Sequence, residues 1–372
     1  MSKLVQSEES VVCIGNDALQ ELNNFLEKNH SRSRKFILCD SNTVQFCLPP
    51  VLEQVARLSN AIVIQMPGGE SAKTIQSCEL IWKELLSNGA DRDSILIAVG
   101  GGVVGDVGGL AASLYMRGIS MIQVPTSLLS MADASVGGKT GVNFSGIKNL
   151  VGTFSKPQAI FTWPGFLKTL PVRHLKSGFA EVIKHHFLSM PDSLVKLGKY
   201  TDLSSDDYEE LIRHSVSFKR QVVGADFRDL TSRRILNFGH TIGHAVEARS
   251  LERDEHPLLH GEAIAIGMIC ELILSRRYAG LPADKAMEAC AYLYSYYSEL
   301  NVYFQFSELQ PFLDSDKKNK NSQVSFVLLK DFGMPVTDYF LSAAQIKNAW
   351  EECQVMFRTA ITFMNDGISN QE

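Results

Sequence analysis

Between Asn237 and Met268 the chain reads N-F-G-H-T-I-G-H and then H-G-E-A-I-A-I-G-M, two histidine-bearing segments on apolar, helix-compatible sequence. His240 and His244 are spaced i,i+4, which places them on one helical face. Neutral imidazole is the commonest protein ligand for a divalent metal such as zinc, and a third histidine, His260, opens the second apolar run. A carboxylate completing the set would leave one coordination position open, the arrangement of catalytic rather than structural zinc. Glu181, in G-F-A-E-V-I-K, is the candidate. An i,i+3 pair such as Glu181–Lys184 on a helix surface contributes only about 0.2–0.5 kcal/mol. Here the apolar flanks predict a buried turn, with Glu181 as a ligand and Lys184 as a substrate contact.

A second constellation lies earlier. Gly100 to Asp106, G-G-G-V-V-G-D, directly follows a strand-like run. Glycines there let a backbone approach a phosphate, and the helix that follows offers N–H groups and a positive dipole end. The spacing is not G-x-G-x-x-G, so a plain strand-to-helix turn is the alternative. Asp40 ends another such run, where it can accept from a ribose hydroxyl or cap a helix. P-G-G-E-S-A-K-T adds Glu70 and Lys73 at a third strand end. Arg117, Lys139, Lys148 and Asn149 follow in glycine-rich, otherwise apolar sequence, poor company for a solvated face. Such cations suit a phosphorylated or carboxylated small substrate, since anions removed from water need directed donors. Asp133, in the same stretch, is placed to orient a lysine or to contact substrate hydroxyls.

The elements that must position these groups follow two patterns. To about residue 165, short Val/Ile/Leu runs (S-V-V-C-I-G, K-F-I-L-C-D, A-I-V-I-Q-M-P, S-I-L-I-A-V-G, M-I-Q-V-P-T) alternate with helical periodicity such as Ser77 to Ser87. That alternation predicts a Rossmann-like parallel sheet with helices on both faces, residues 1–165. Ligands of such sheets bind beyond the carboxyl ends of the strands. After A-I-F-T-W-P helical patterns dominate, as in Ser204 to Val223, Gly261 to Arg277 and Ala283 to Leu300, with a brief V-S-F-V-L-L run near residue 325. Residues 166–372 are therefore expected to form a helical, metal- and substrate-binding domain.

Composition narrows the class. The chain has 372 residues, 45% hydrophobic and 21% charged, enough to bury a large core. A net charge of -5 argues against nucleic acid or an anionic membrane as partner. No signal-peptide pattern or membrane-length apolar run is visible, so a cytoplasmic location is the expectation. The seven cysteines, at 13, 39, 47, 78, 270, 290 and 353, form no C-x-x-C and read as reduced, buried hydrophobes.

The motifs G-G-G-V-V-G-D, L-Y-M-R-G, D-A-S-V-G-G-K-T-G-V-N, G-I-K-N-L-V-G, G-F-A-E-V-I-K, L-N-F-G-H-T-I-G-H-A-V-E and H-G-E-A-I-A-I-G-M resemble the dehydroquinate synthases of the sugar phosphate cyclase family, over nearly the whole chain. The resemblance implies a dehydroquinate synthase-like fold, an α/β NAD-binding domain followed by an all-helical domain. It implies zinc, for which cobalt can stand in, held by Glu181, His240 and His260. His244 then becomes a proton-transfer or phosphate-contacting residue and no ligand. Implied substrate contacts are Arg117, Asp133, Lys139, Lys148, Asn149, Lys184, Lys219, Arg233 and Asn237. Catalytic roles fall on His244, Lys139, Asp229, Lys184, Arg117 and Asp133. Asp40, Asn42, Glu70, Lys73, Gly101, Gly102, Val103, Asp106, Thr126 and Ser127 fall where the family binds NAD, and a homodimer is implied as well.

The implied reaction uses every part. NAD oxidises the C5 alcohol of 3-deoxy-D-arabino-heptulosonate 7-phosphate, the C6 proton becomes acidic, phosphate leaves, the hydride returns, and ring opening with an intramolecular aldol step closes 3-dehydroquinate. Two features stand out against the family pattern. Asp229 occupies a position that is commonly glutamate, four residues before Arg233. A D-K-K loop, Asp316 to Lys318, offers Lys317 or Lys318 to the substrate. The alternatives are a cyclase of the inosose or valiolone type, acting on a sugar phosphate without the carboxylate, and a metal-dependent polyol or alcohol dehydrogenase, which would give these cations nothing to neutralise. A non-catalytic metabolite-binding protein would be expected to have lost metal or hydride-site residues.

Overall fold

The computed structural model describes residues 10–200, 208–315, 319–320 and 322–368, those after 358 by backbone alone. The chain divides into two compact units, one of Met1–Pro171 with Asp206–Gln221, the other of Val172–Ser205 with Val222–Glu372. Most of the helix Tyr208–Ala225 thus belongs with the first unit, which no single cut near residue 165 would provide.

The first unit is built on six parallel strands: β1 (Val11–Ile14), β2 (Lys35–Asp40), β3 (Ile62–Met66), β4 (Ile95–Gly100), β5 (Ser120–Pro125) and β8 (Ala159–Thr162), in the order β1-β8-β5-β4-β2-β3. β4 is buried along its whole length, which is why it reads as an unbroken apolar run. The crossover leaving β2 runs outward to β3, whereas the one leaving β4 runs the other way to β5. β2 and β4 therefore flank a topological switch point, and sheets of this kind bind ligands beyond the carboxyl ends of the strands there.

One element of this unit departs from the strand–helix reading. The cation-bearing stretch forms an antiparallel hairpin of β6 (Lys139–Phe144) and β7 (Ile147–Phe154). Gly109 on the helix Gly102–Leu114 admits it, because a Cβ there would stand 2.4 Å from Thr140 Cγ2. Thr153 Oγ1 lies 2.9 Å from Ser113 Oγ of the helix, and Asn143 donates its N–H to Lys73 O (2.8 Å) and its amide to Glu70 Oε1 (2.9 Å).

In the second unit the helix His260–Leu274 is buried from Gly261 to its end, as a helix apolar on all sides must be. The helices Val172–Ser189, His240–Arg253, Ala283–Tyr297 and Ala343–Ile368 pack around it. An antiparallel pair, β9 (Val324–Asp331) and β10 (Met334–Leu341), completes the unit; the V-S-F-V-L-L run is β9. Six of the seven cysteines are buried and all are free. Burial pushes the Cys39, Cys78 and Cys290 thiols up to about 12, which leaves them unreactive. Among the described residues no helix is long and apolar enough to cross a membrane.

Candidate functional site

Two glycines bring three metal-competent side chains of the second unit together. A Cβ on Gly261 would lie 1.7 Å from Ser177 O, and one on Gly267 would lie 2.0 Å from Gly239 O. Helix His260–Leu274 can therefore touch the Glu181-bearing helix beside His260, and the start of the His240 helix two turns later. The result places His240 Nε2 and His260 Nε2 each 3.6 Å from Glu181 Oε1. The three donor atoms lie within 4.8 Å of one another. Donors held by one tetrahedral zinc at about 2.1 Å stand about 3.4 Å apart, so the set fits such an ion. Two imidazoles and a carboxylate also leave the fourth position open.

The surroundings prepare these donors. Glu181 is fully buried, and its Oε2 meets Lys184 Nζ one turn away. His240 Nδ1 is 3.1 Å from Phe238 O, and His260 Nδ1 is 3.2 Å from Glu247 Oε2, so each ring keeps Nε2 for the shared centre. Burial, helped by the charge of Lys184, holds His240 well below the ordinary histidine range. Burial also lowers His260, but the adjacent carboxylates of Glu181 and Glu247 outweigh that and push it up to about 9. A metal must displace that proton to bind. His244 is exposed, its ring 5.1 Å from that of His240. It can form a second triplet with Glu247 and His260, but Glu247 is already turned to the far nitrogen of His260.

A loop of the same unit presents Asp229, Arg233 and Asn237. Asp226, buried in the loop, accepts from the N–H groups of Leu230 (3.0 Å), Thr231 (2.6 Å) and Arg233 (3.2 Å). Arg233 is 4% exposed and donates to Phe227 O at 2.9 Å, while Asn237 is half-buried. Asp229 sits in the left-handed region at φ 57°. Lys317 and Lys318 lie outside the described residues.

In the first unit the residues expected at NAD gather at four adjacent strand ends. Asp40 closes β2, Glu70 and Lys73 follow β3, Gly101, Gly102, Val103 and Asp106 follow β4, and Thr126 and Ser127 follow β5. Thr126 N–H donates to Gly100 O at 3.0 Å. Gly101 begins the helix without a side-chain cap, and Cβ atoms on Gly101 and Gly102 would come no nearer than 3.4 and 3.7 Å to a neighbour. Packing within the protein thus does not require glycine at either position, and the backbone at this helix N-terminus is open to close approach. Asp40 Oδ1 accepts from the N–H groups of Asn42 (2.9 Å) and Thr43 (2.7 Å), so these bonds engage Oδ1 and not Oδ2. Lys73 is buried and paired with Asp106 at 2.6 Å. Burial raises the Asp106 carboxyl, and Lys73 draws it part of the way back.

The cations divide. Lys219 is 6% exposed and pairs with Asp133 Oδ1 at 2.8 Å, so Asp133 orients a lysine. Arg117, Lys139 and Asn149 are exposed and Lys148 is half-buried, a correction to the expectation that their apolar neighbours would exclude solvent. For Lys139, Lys148 and Asn149 the reason is the hairpin: the end of β6 and both faces of β7 are solvent-accessible, and Phe144, Ile147, Leu150, Val151 and Phe154 are 40–56% exposed beside them. Sequence reasoning missed Glu247, Glu262, Glu271 and Asp226. A signal for two of them existed, since Glu262 and Glu271 interrupt an apolar helix, and carboxylates buried there need partners. Glu262 takes Arg173 by both oxygens (2.7 and 2.8 Å) and the Leu259 N–H (2.7 Å).

Comparisons agree with this layout. Family profiles described as 3-dehydroquinate synthase N-terminal and C-terminal match residues 63–177 and 178–319. A 3-dehydroquinate synthase of Parabacteroides distasonis is 38% identical over 333 residues, 88% of this chain and 92% of that one. A 2-deoxy-scyllo-inosose synthase, solved with carbaglucose-6-phosphate, NAD+ and Co2+, superposes with TM-score 0.80 at 26% identity, over 92% of this chain and 96% of that one. The 2-epi-5-epi-valiolone synthase of Streptomyces hygroscopicus subsp. jinggangensis, solved with NAD+ and Zn2+, does so with TM-score 0.81 at 25% identity, over 95% and 99%.

Proposed function

The chain belongs to the 3-dehydroquinate synthase family, and we propose that it is an NAD- and zinc-dependent lyase converting 3-deoxy-D-arabino-heptulosonate 7-phosphate to 3-dehydroquinate and phosphate. The observation that carries this reading is the meeting of the buried Glu181 with the part-exposed His240 and His260 in one centre. When bound, NAD supplies a reversible hydride acceptor and zinc supplies Lewis acidity toward the substrate oxygens.

The chain's own groups do the rest. Glu181, His240 and His260 hold the metal, and Lys184 pairs with Glu181 Oε2 while Oε1 faces the two histidines. The open turn at Gly101 and Gly102 takes the pyrophosphate of NAD, with Asp40 at the ribose and Lys73 and Asp106 fixed as a pair beside them. Arg233, Asn237 and Lys219 bind anionic groups of the substrate, joined by Arg117, Lys139, Lys148 and Asn149. The exposure of Arg117, Lys139 and Asn149 suits residues that must release inorganic phosphate into water. His244, on the metal-bearing helix yet solvent-accessible, moves protons to and from that phosphate, and Asp229 contributes a carboxylate one methylene shorter than the family's usual glutamate.

A second reading, a cyclase of the inosose or valiolone type, has the fold likeness in its favour. Higher identity to a dehydroquinate synthase, 38% against 25–26%, favours the first. A substrate comparison separates them. The protein with zinc and NAD should release phosphate from the heptulosonate phosphate; release only from a sugar phosphate lacking the carboxylate would overturn the assignment.

A further inference from the structure

We propose that Glu271 is a positioning residue for His240, holding the first turn of the His240 helix in the orientation and electrostatic setting in which that histidine receives a cation. The inference rests on the reading of Glu181, His240 and His260 as a metal centre.

Glu271 is fully buried near the end of the helix that begins with His260. Its Oε2 accepts the N–H of Gly239 at 2.6 Å, and its Oε1 accepts those of Thr241 (3.1 Å) and Ile242 (3.3 Å). These donors flank His240 in the chain. Gly239, the residue before the helix, has φ 80° and no side chain to cap with, so the cap comes from another helix. Gly267, one turn before Glu271, fixes the approach, since its Cα lies where any Cβ would strike Gly239 O. One helix therefore delivers a ligand, His260, at its start and aims a second, His240, from near its end.

Charge gives this cap a role beyond holding the fold. A helix N-terminus carries about half a positive charge, concentrated on its free N–H groups, and disfavours a dication lodged beside its first residue. A carboxylate on three of those groups cancels that repulsion. A neutral residue of the same shape would leave it, and would turn one acceptor into a donor facing N–H groups.

The test uses the full chain loaded with Co2+ and no substrate, reading affinity by chelator competition and geometry by visible absorption. E271Q is expected to bind Co2+ at least tenfold more weakly than the unaltered chain, with displaced bands. Ser275→Ala, which removes a buried hydroxyl bonded to Glu271 O (2.6 Å) and Leu329 N (3.0 Å), should lower the melting temperature and leave the bands in place. Unaltered affinity and bands in E271Q would overturn the proposal. Should E271Q not fold, E271D, charged but shorter, is read in the same way: displaced bands support the role and unaltered ones overturn it. Failure to turn over the heptulosonate phosphate leaves this inference standing, whereas Co2+ binding that survives His240→Ala overturns it.

Discussion

Lys184 Nζ meets Glu181 Oε2 one helical turn away, where the two side chains are 2% and 1% exposed, while Oε1 of the same carboxylate faces His240 and His260. One carboxylate thus divides its oxygens between a fixed cation and two imidazoles. Removing one partner of such a buried pair typically costs about 3–5 kcal/mol, because a charge is left behind. Lys184→Met should therefore melt well below the unaltered protein in chelator, and zinc should recover most of the loss by supplying charge to Glu181. An equal loss with and without zinc would mean that Lys184 supports the fold independently of the metal.

The two readings of the histidines make opposite predictions. His260→Ala should lose zinc on dialysis, whereas His244→Ala should retain it and turn over more slowly, by about 10²-fold or more for a proton-transfer group. Zinc analysis of both proteins decides this. Equal loss would place His244 among the ligands, as its i,i+4 spacing from His240 first suggests.

Glycines of the two units should separate packing from binding. Gly267→Ala drives a Cβ into the carbonyl of Gly239, so it should destabilise by more than about 3 kcal/mol and lower zinc affinity. Gly101→Ala meets nothing closer than 3.4 Å, so its urea midpoint should barely move while NAD binding weakens. A large stability loss in Gly101→Ala would show that the turn is there for packing.

Asp226 predicts a pH signature. The N–H groups of Leu230 and Thr231, with that of Arg233 and the Thr231 hydroxyl, hold its carboxyl down at about 2. The unfolded value is about 3.9, so the stabilisation is full above that pH and is lost as the pH falls toward 2. The gap in urea midpoint between the unaltered chain and Asp226→Asn should be constant from pH 7 to 5 and shrink between pH 4 and 3. A gap independent of pH would mean that the ionised carboxylate is not what holds the Asp229–Arg233 loop.

What could be read from the residues alone has a physical boundary. β2, β4 and β5 are buried on both faces and announce themselves as Val/Ile/Leu runs. β7 has no buried face, so neither alternation nor an apolar block marks it, and its Lys148 and the Lys139 of β6 looked more enclosed than they are. Histidine spacing pointed to the candidate metal centre but favoured His244, because an i,i+4 rule sees one helix. Membership is decided by where three helices cross, and that depends on Gly261 and Gly267 meeting Ser177 and Gly239. The carboxylates that orient the ligands, Glu247 and Glu271, act on other elements across distances that no local pattern carries.

Redox-neutral cyclisation returns every hydride to the product, so the count of phosphate released per NAD distinguishes it from net oxidation. With zinc, excess heptulosonate phosphate and less NAD than substrate, many phosphates should be released for each NAD present, without accumulation of NADH. NADH accumulating in step with substrate consumed, with no phosphate released, would contradict the account and make the protein a dehydrogenase.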